Sequence, residues 1–211
     1  KLNYRFLESG LGGKVITKLD FPLDWGLGSS STLINNISKW AEINPYDLLW
    51  SNFKGSGYDI ACSESNSPIH YRLKNNKPTV KKVSFFPSFH TRLFFIHLNQ
   101  KQETEKQINY FNEKKTTLKD IEFISNLSKK ITNCETLEEF QKYIHEHEIF
   151  LSQKLNIQTI KEKKFNDYKG QIKSLGAWGG DFILAAGPSN SPEYFNKKGY
   201  KTIIPFKKML R

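Results

Sequence analysis

The sequence predicts an α+β fold in two parts, and three observations carry that expectation. A β-branched run over 15–21 leads through a pair of glycines into a helical apolar pattern. Two strand-like segments, 68–73 and 79–85, flank the turn pair Asn75-Asn76. Beyond residue 88 the order is strand, helices, two strands around a glycine-rich turn, a short helix and a last strand, the order of a split βαβ sandwich. The boundary is placed at Phe86-Pro87-Ser88, which gives a first domain over 1–87 and a second over 88–211.

Composition bounds the reading. The 211 residues are 37% hydrophobic and 14% aromatic, enough for one large or two small cores. No apolar run reaches the roughly eighteen residues needed to span a bilayer, so no membrane partner is expected. Cys62 and Cys134 stand in unrelated contexts, which excludes a disulfide framework or a cysteine metal cluster and fits a reducing cytoplasm. The formal net charge of +11 favours an acidic or phosphorylated small molecule as partner. Lysines interleave with glutamates in the middle third, so a solvated face is favoured over a nucleic-acid stripe.

Taken in order, the first informative stretch is Pro22-x-x-x-Gly26-Leu27-Gly28-Ser29-Ser30-Ser31. Apolar residues at Leu33, Ile34, Ile37, Trp40 and Ala41 predict a helix from about Ser29. The first N–H groups of a helix have no intrahelical acceptor, the macrodipole adds positive potential, and glycine lets an anion approach the main chain. The stretch is neither a Walker A loop, since no Gly-Lys-Ser/Thr follows, nor the three-glycine dinucleotide fingerprint. A simple Ser/Thr cap on an amphipathic helix is the competing explanation of the letters alone.

Asn44-Pro45-Tyr46-Asp47 predicts a second helix with an asparagine cap. It is followed by Ser56-Gly57-Tyr58-Asp59-Ile60-Ala61, where a carboxylate set between a glycine turn and small apolar residues is either a helix cap or a partly buried acid. The segment 93–98 is apolar enough to lie centrally in a sheet. Helices are expected between 105 and 155, with stripes at Ile121, Ile124, Leu127 and Ile131 and at Phe140, Tyr143, Ile144 and Phe150. His145 and His147, two apart, fall on different helix faces and do not form a zinc pair. The last motif, Lys173-Ser174-Leu175-Gly176-Ala177-Trp178-Gly179-Gly180-Asp181, joins two β-like runs and on geometry alone is a tight hairpin.

Together these three motifs resemble those of the GHMP small-molecule kinases. The first resembles the family's second motif, the Ser-Gly-x-Asp-x-Ala string resembles that of mevalonate-type kinases, and the glycine turn resembles the third motif in its phosphomevalonate kinase form. The Gly57-Tyr58-Asp59-Ile60-Ala61 wording is similar to one branch of the superfamily. The resemblance runs from about Val15 to Ile204. It implies a partial N-terminal domain of the ribosomal S5 domain 2-like kind and a ferredoxin-like C-terminal domain. The family segment that precedes the matched region, with its first motif and part of the adenine pocket, has no counterpart in the 211 residues.

By the same resemblance the chain is an ATP-dependent kinase with Mg²⁺, passing the γ-phosphoryl group to a mevalonate-pathway intermediate, phosphomevalonate or mevalonate. Gly26, Leu27, Gly28, Ser29, Ser30 and Ser31 would hold the triphosphate, with Ser30 also toward the metal, and Asp59 would orient or deprotonate the acceptor. Gly176, Ala177, Gly179 and Gly180 would close the site, and Lys101, Thr104, Trp178 and Asp181 would meet the substrate. Two positions depart from the pattern: Trp178 stands where a glycine is usual, and Leu48 stands about eleven residues before the aspartate, where many mevalonate kinases carry an acid. The alternative is a non-catalytic nucleotide- or RNA-binding member of the superfamily.

Overall fold

The computed structural model describes residues 3, 5, 6, 8, 10, 13–100, 116–176 and 180–210. The chain divides into two compact units, Lys1–Ser84 and Phe85–Arg211. Both are mixed α and β, each with its own antiparallel sheet.

The first unit holds α1 (Ser29–Ala41), α2 (Pro45–Asn52), α3 (Tyr58–Glu64) and the hairpin β1 (Ile69–Lys74)–β2 (Lys77–Lys82). Asn44 caps α2 as its sequence indicates: its side-chain oxygen accepts from Tyr46 N–H at 2.8 Å, with Pro45 at the first helical position. Asn75 and Asn76 both adopt left-handed backbone conformations, φ 51° and 54°, the two-residue turn that matches the twist of paired strands. Ile34, Tyr46 and Ile60 form the core that joins the three helices, with Trp50 and Tyr71 packed against it.

One expectation for this unit is corrected. Residues 15–21 form no strand: they have no ladder partner among the described residues, and Val15 and Ile16 are 58% and 76% exposed. An extended segment without a neighbour leaves its backbone groups to water, whatever its β-branched content. The helix expected from about Ser29 runs over Ser29–Ala41, and its buried face takes in only part of the apolar stripe. Ile34, Asn35, Ser38 and Ala41 are buried, whereas Leu33, Ile37 and Trp40 are exposed.

In the second unit, β3 (Leu93–His97) lies between β5 (Phe182–Ala186) and β6 (Ile203–Pro205), with β4 (Gln171–Ser174) outside β5. The order β4-β5-β3-β6, antiparallel throughout, is that of a split βαβ unit. Between β3 and β4 come α4 (Leu118–Asn133), α5 (Leu137–Leu155) and α6 (Ile160–Lys164); α7 (Ser191–Lys197) and a terminal turn α8 (Phe206–Met209) complete it.

Side chains of β3 and β5 alternate between two clusters. Phe94, Ile96, Ile183 and Ala185 meet Phe165 and Phe195, while Leu93, Leu184 and Ala186 meet Phe140, Ile144 and Phe206. A sheet buried on both faces explains the unbroken apolar runs of its central strands. Phe85 belongs here too, its ring 5.9 Å from that of Phe140.

Candidate functional site

The approach to α1 is shaped by its backbone. A short 3₁₀ turn, Leu23–Trp25, is followed by Gly26 at φ 63° and, after Leu27, by Gly28 at φ 77°. Both glycines occupy the left-handed region, which a side chain makes costly. Gly28 takes the cap position, and no side chain supplies the capping hydrogen bond. Its carbonyl accepts from the Thr32 N–H and the Thr32 hydroxyl, each at 3.0 Å. The N–H groups of Ser29, Ser30 and Ser31 therefore point out of the helix start without an intrahelical acceptor. Ser30 is exposed there, and Ser29 and Ser31 are half-buried. A helix start of this kind has unpaired N–H groups and the positive end of the macrodipole, the features that suit an anion.

Asp59 sits in the first turn of α3. The turn before it needs glycine at Gly57: φ is 80°, and a Cβ there would stand 3.0 Å from two ring carbons of Tyr46. Neighbours fix the loop. Trp50 Nε1–H donates to the Gly55 carbonyl at 3.2 Å, and the Tyr71 hydroxyl donates to the Ser56 carbonyl at 2.5 Å. Asp59 is exposed at its outer edge, yet surrounding protein withdraws enough water from its carboxyl to raise the pKa above the ordinary carboxylate value, and a hydrogen bond from Tyr58 opposes the shift. The charge on Asp59 adds to burial in pushing the Cys62 thiol up, which puts the two side chains on one face of α3.

The helices that carry these features pack directly on each other. Asn35 Nδ2–H on α1 donates to the Ser63 carbonyl on α3 at 3.4 Å, and Ile34 and Ile60 share one core. At 1.5 Å of rise per residue, Ser29 lies about 9 Å and Asp59 about 6 Å along its own helix from that hydrogen bond. The structure thus places Asp59 and the serine-rich helix start on one packed helix pair. A carboxylate with a raised pKa can accept a proton, and a helix start whose N–H groups lack intrahelical acceptors can hold an anion.

Of the third motif, Gly176 adopts φ 65°, Gly180 is buried, and the Asp181 carbonyl accepts from Leu98 N–H at 2.8 Å. Ala177, Trp178 and Gly179, together with Lys101 and Thr104, lie outside the described residues. Among the described residues no group of three or more His, Cys, Asp and Glu side chains could hold a metal ion, and no helix is long and apolar enough to cross a membrane. Cys62 and Cys134 are free thiols.

One set of residues around this motif escapes sequence reasoning. Glu148 on α5 accepts from the Ser174 hydroxyl at 3.0 and 2.8 Å and from the Lys173 ammonium at 2.8 Å, just before the glycines. The signal in the letters is a carboxylate four residues after Ile144, on the apolar stripe of its helix.

No protein-family model and no curated protein sequence matches this chain. Among solved structures, a crystal structure of mevalonate kinase matches 88% of the chain at 18% sequence identity and a TM-score of 0.51. The chain spans 65% of that protein's length. At this identity the similarity is one of fold.

Proposed function

We propose that the chain is the core of an ATP-dependent small-molecule kinase, transferring the γ-phosphoryl group to phosphomevalonate or mevalonate. The observation that carries this reading is the packing of α3, with Asp59 in its first turn, on α1, whose glycine-capped start leaves three N–H groups to an anion. The fold likeness to mevalonate kinase supports it. Phosphoryl transfer asks little covalent chemistry of a protein and depends on positioning and charge neutralisation. Main-chain N–H groups of residues 28–31 bind the triphosphate, with Gly26 and Leu27 shaping the approach. Asp59 orients the acceptor, and takes its proton where that acceptor is a hydroxyl. A phosphomonoester acceptor is already ionised near pH 7, and for it Asp59 positions a cation instead.

Magnesium needs only one or two protein oxygens beside phosphates and water, so the exposed Ser30 hydroxyl at this helix start suits it. Bound with ATP, the ion would neutralise phosphate charge. The roles that the resemblance gives to Gly176, Gly180 and Asp181 belong to the second unit and are tested separately by substitution.

The deciding experiment offers ATP with mevalonate, phosphomevalonate, homoserine or galactose to the intact protein and measures ADP release and the phosphorylated product. Turnover with either of the first two supports the reading. Failure with all four, in a protein that ATP does protect from thermal unfolding, would leave a nucleotide-binding module and end the kinase assignment.

A further inference from the structure

The second unit contains a cleft that the kinase reading leaves unused. A cavity of about 380 Å³ opens between α5, α6 and the entry to β4. Glu138, Lys142 and His145 fall four and seven residues apart on α5 and form one wall; Lys161 on α6, with Lys169 and Gln171, forms the other. Three lysines and a histidine thus face one glutamate.

Two other carboxylates stand nearby. Glu162 accepts from the Thr159 N–H at 3.0 Å and its hydroxyl at 2.9 Å and interacts with His145 of the wall, and Glu148 is held by Lys173 and Ser174, so the positive balance of the cleft rests on its three lysines. Lys161 is fixed by neutral acceptors, the Gly170 carbonyl at 2.7 Å and Gln171 Oε1 at 3.4 Å, and among the described residues no carboxylate pairs with it. Burial lowers its pKa, as expected of an ammonium group without a counter-charge.

The lining suits a multiply charged anion. Its three lysines are point charges set on two opposite walls, an arrangement that can meet several oxygens of a tetrahedral phosphate at once. The aromatic phenol ring in the wall, Tyr168, is committed: its hydroxyl bonds Ser191 at 2.7 Å and its ring packs on Tyr194 and Phe195. The cleft therefore offers it to no nucleobase. It lies at the entry of β4, with the glycine turn beyond the exit of that strand, about 10 Å further on.

We propose that this cleft is a second anion site, taking a small phosphate-bearing metabolite, with Lys161 as its fixed anchor and Lys142 and Lys169 as mobile cations closing over it.

The test is a titration of the ¹⁵N-labelled full chain with sodium pyrophosphate, at ionic strength held constant with sodium chloride. Saturable shifts of the Gly170 and Gln171 amides are expected. Lys161→Gln should weaken that binding about tenfold, Lys161→Arg should keep most of it, and shifts at residues 29–31 should be unaffected by either change. Because the two sets of amides are read separately, failure here is distinct from failure of the kinase reading. Unmoved Gly170 and Gln171 amides, or equal affinity in Lys161→Gln, would overturn the proposal. So would displacement of pyrophosphate by a short oligoribonucleotide at far lower phosphate concentration, which would make the cleft part of a nucleic-acid surface.

Discussion

Lys173 Nζ lies 2.8 Å from Glu148 Oε1, and both side chains are largely shielded from water, with 18% and 7% of their surfaces exposed. The same ammonium donates to the Ser174 carbonyl at 2.8 Å, so the carboxylate and the strand that leads into the glycine turn are joined through one cation. Removing a single partner leaves an uncompensated charge in a dry setting. Glu148→Leu should therefore destabilise the second unit by about 3 kcal/mol, while Glu148→Leu combined with Lys173→Met should recover most of that loss. Denaturant unfolding of the single and double variants measures both, and a single variant as stable as the parent would remove the pair from any account of stability.

Gly28 holds φ 77° at the cap of α1, and a Cβ there would find open space, its nearest neighbour being Ser31 Oγ at 4.0 Å. Strain and function therefore separate. Gly28→Ala should cost about 1 kcal/mol of stability from the left-handed backbone alone. Gly28→Val should in addition obstruct the approach to the N–H groups of residues 29–31 and lower ATP affinity at least about tenfold. Calorimetric titration with ATP, beside thermal melts, separates the two effects. Undiminished ATP binding in a folded Gly28→Val protein would move the nucleotide elsewhere.

Asp59 carries a conflict between stability and use. Its pKa in the folded chain is raised, burial being the cause, so the folded state holds its proton to higher pH than the unfolded chain does. The sign follows: the folded state is penalised once pH passes the ordinary carboxylate value of 3.8, and the penalty is complete above the raised value. Asp59→Asn should raise the melting temperature at pH 7 and leave it little changed below the ordinary value. If the carboxylate acts on the acceptor, the same change should lower kcat by about a hundredfold or more with little effect on the KM for ATP. A variant that is both more stable and fully active would leave Asp59 without a chemical role.

How much of this was legible in the letters depends on whether the deciding interaction is local. The cap of Asn44 on Tyr46 and the Asn75-Asn76 turn are settled within a few residues, and both stand where the sequence puts them. Leu93–His97 is central because its residues are apolar on both faces. Of the candidate site, the two glycine turns were legible through their spacing, since Gly28 and Gly57 adopt left-handed backbone conformations just before α1 and α3. The segment 15–21 was misread because a strand is defined by a partner that its own residues do not specify. The start of α1 at Ser29 was legible, but its buried face is set by its neighbours: α2 and α3 cover Ile34 and Asn35, and the larger Leu33 and Trp40 are left outside. Glu148 was missed because its partners lie about 25 residues away, at Lys173 and Ser174.

His147 neighbours that same cluster, with its Nδ1 3.9 Å from Glu148 Oε1 and no hydrogen-bond partner for this atom among the described residues. Burial comes first, and the Lys173 ammonium second, in pushing its pKa down from 6.5 to about 3. The imidazole is therefore neutral in the folded chain across the physiological range. An unfolded chain binds a proton there below 6.5 and the folded one does not until about 3, so stability is whole above 6.5 and falls as pH drops toward 3. The slope from one such group is at most about 1.4 kcal/mol per pH unit. His147→Phe should flatten the decline between those limits while leaving other acid-sensitive groups to act. The imidazole C2–H resonance of His147 should show no titration between pH 8 and 5. A midpoint near 6.5 in that resonance would mean that the ring is solvated and that its cluster with Glu148 and Lys173 is open in solution.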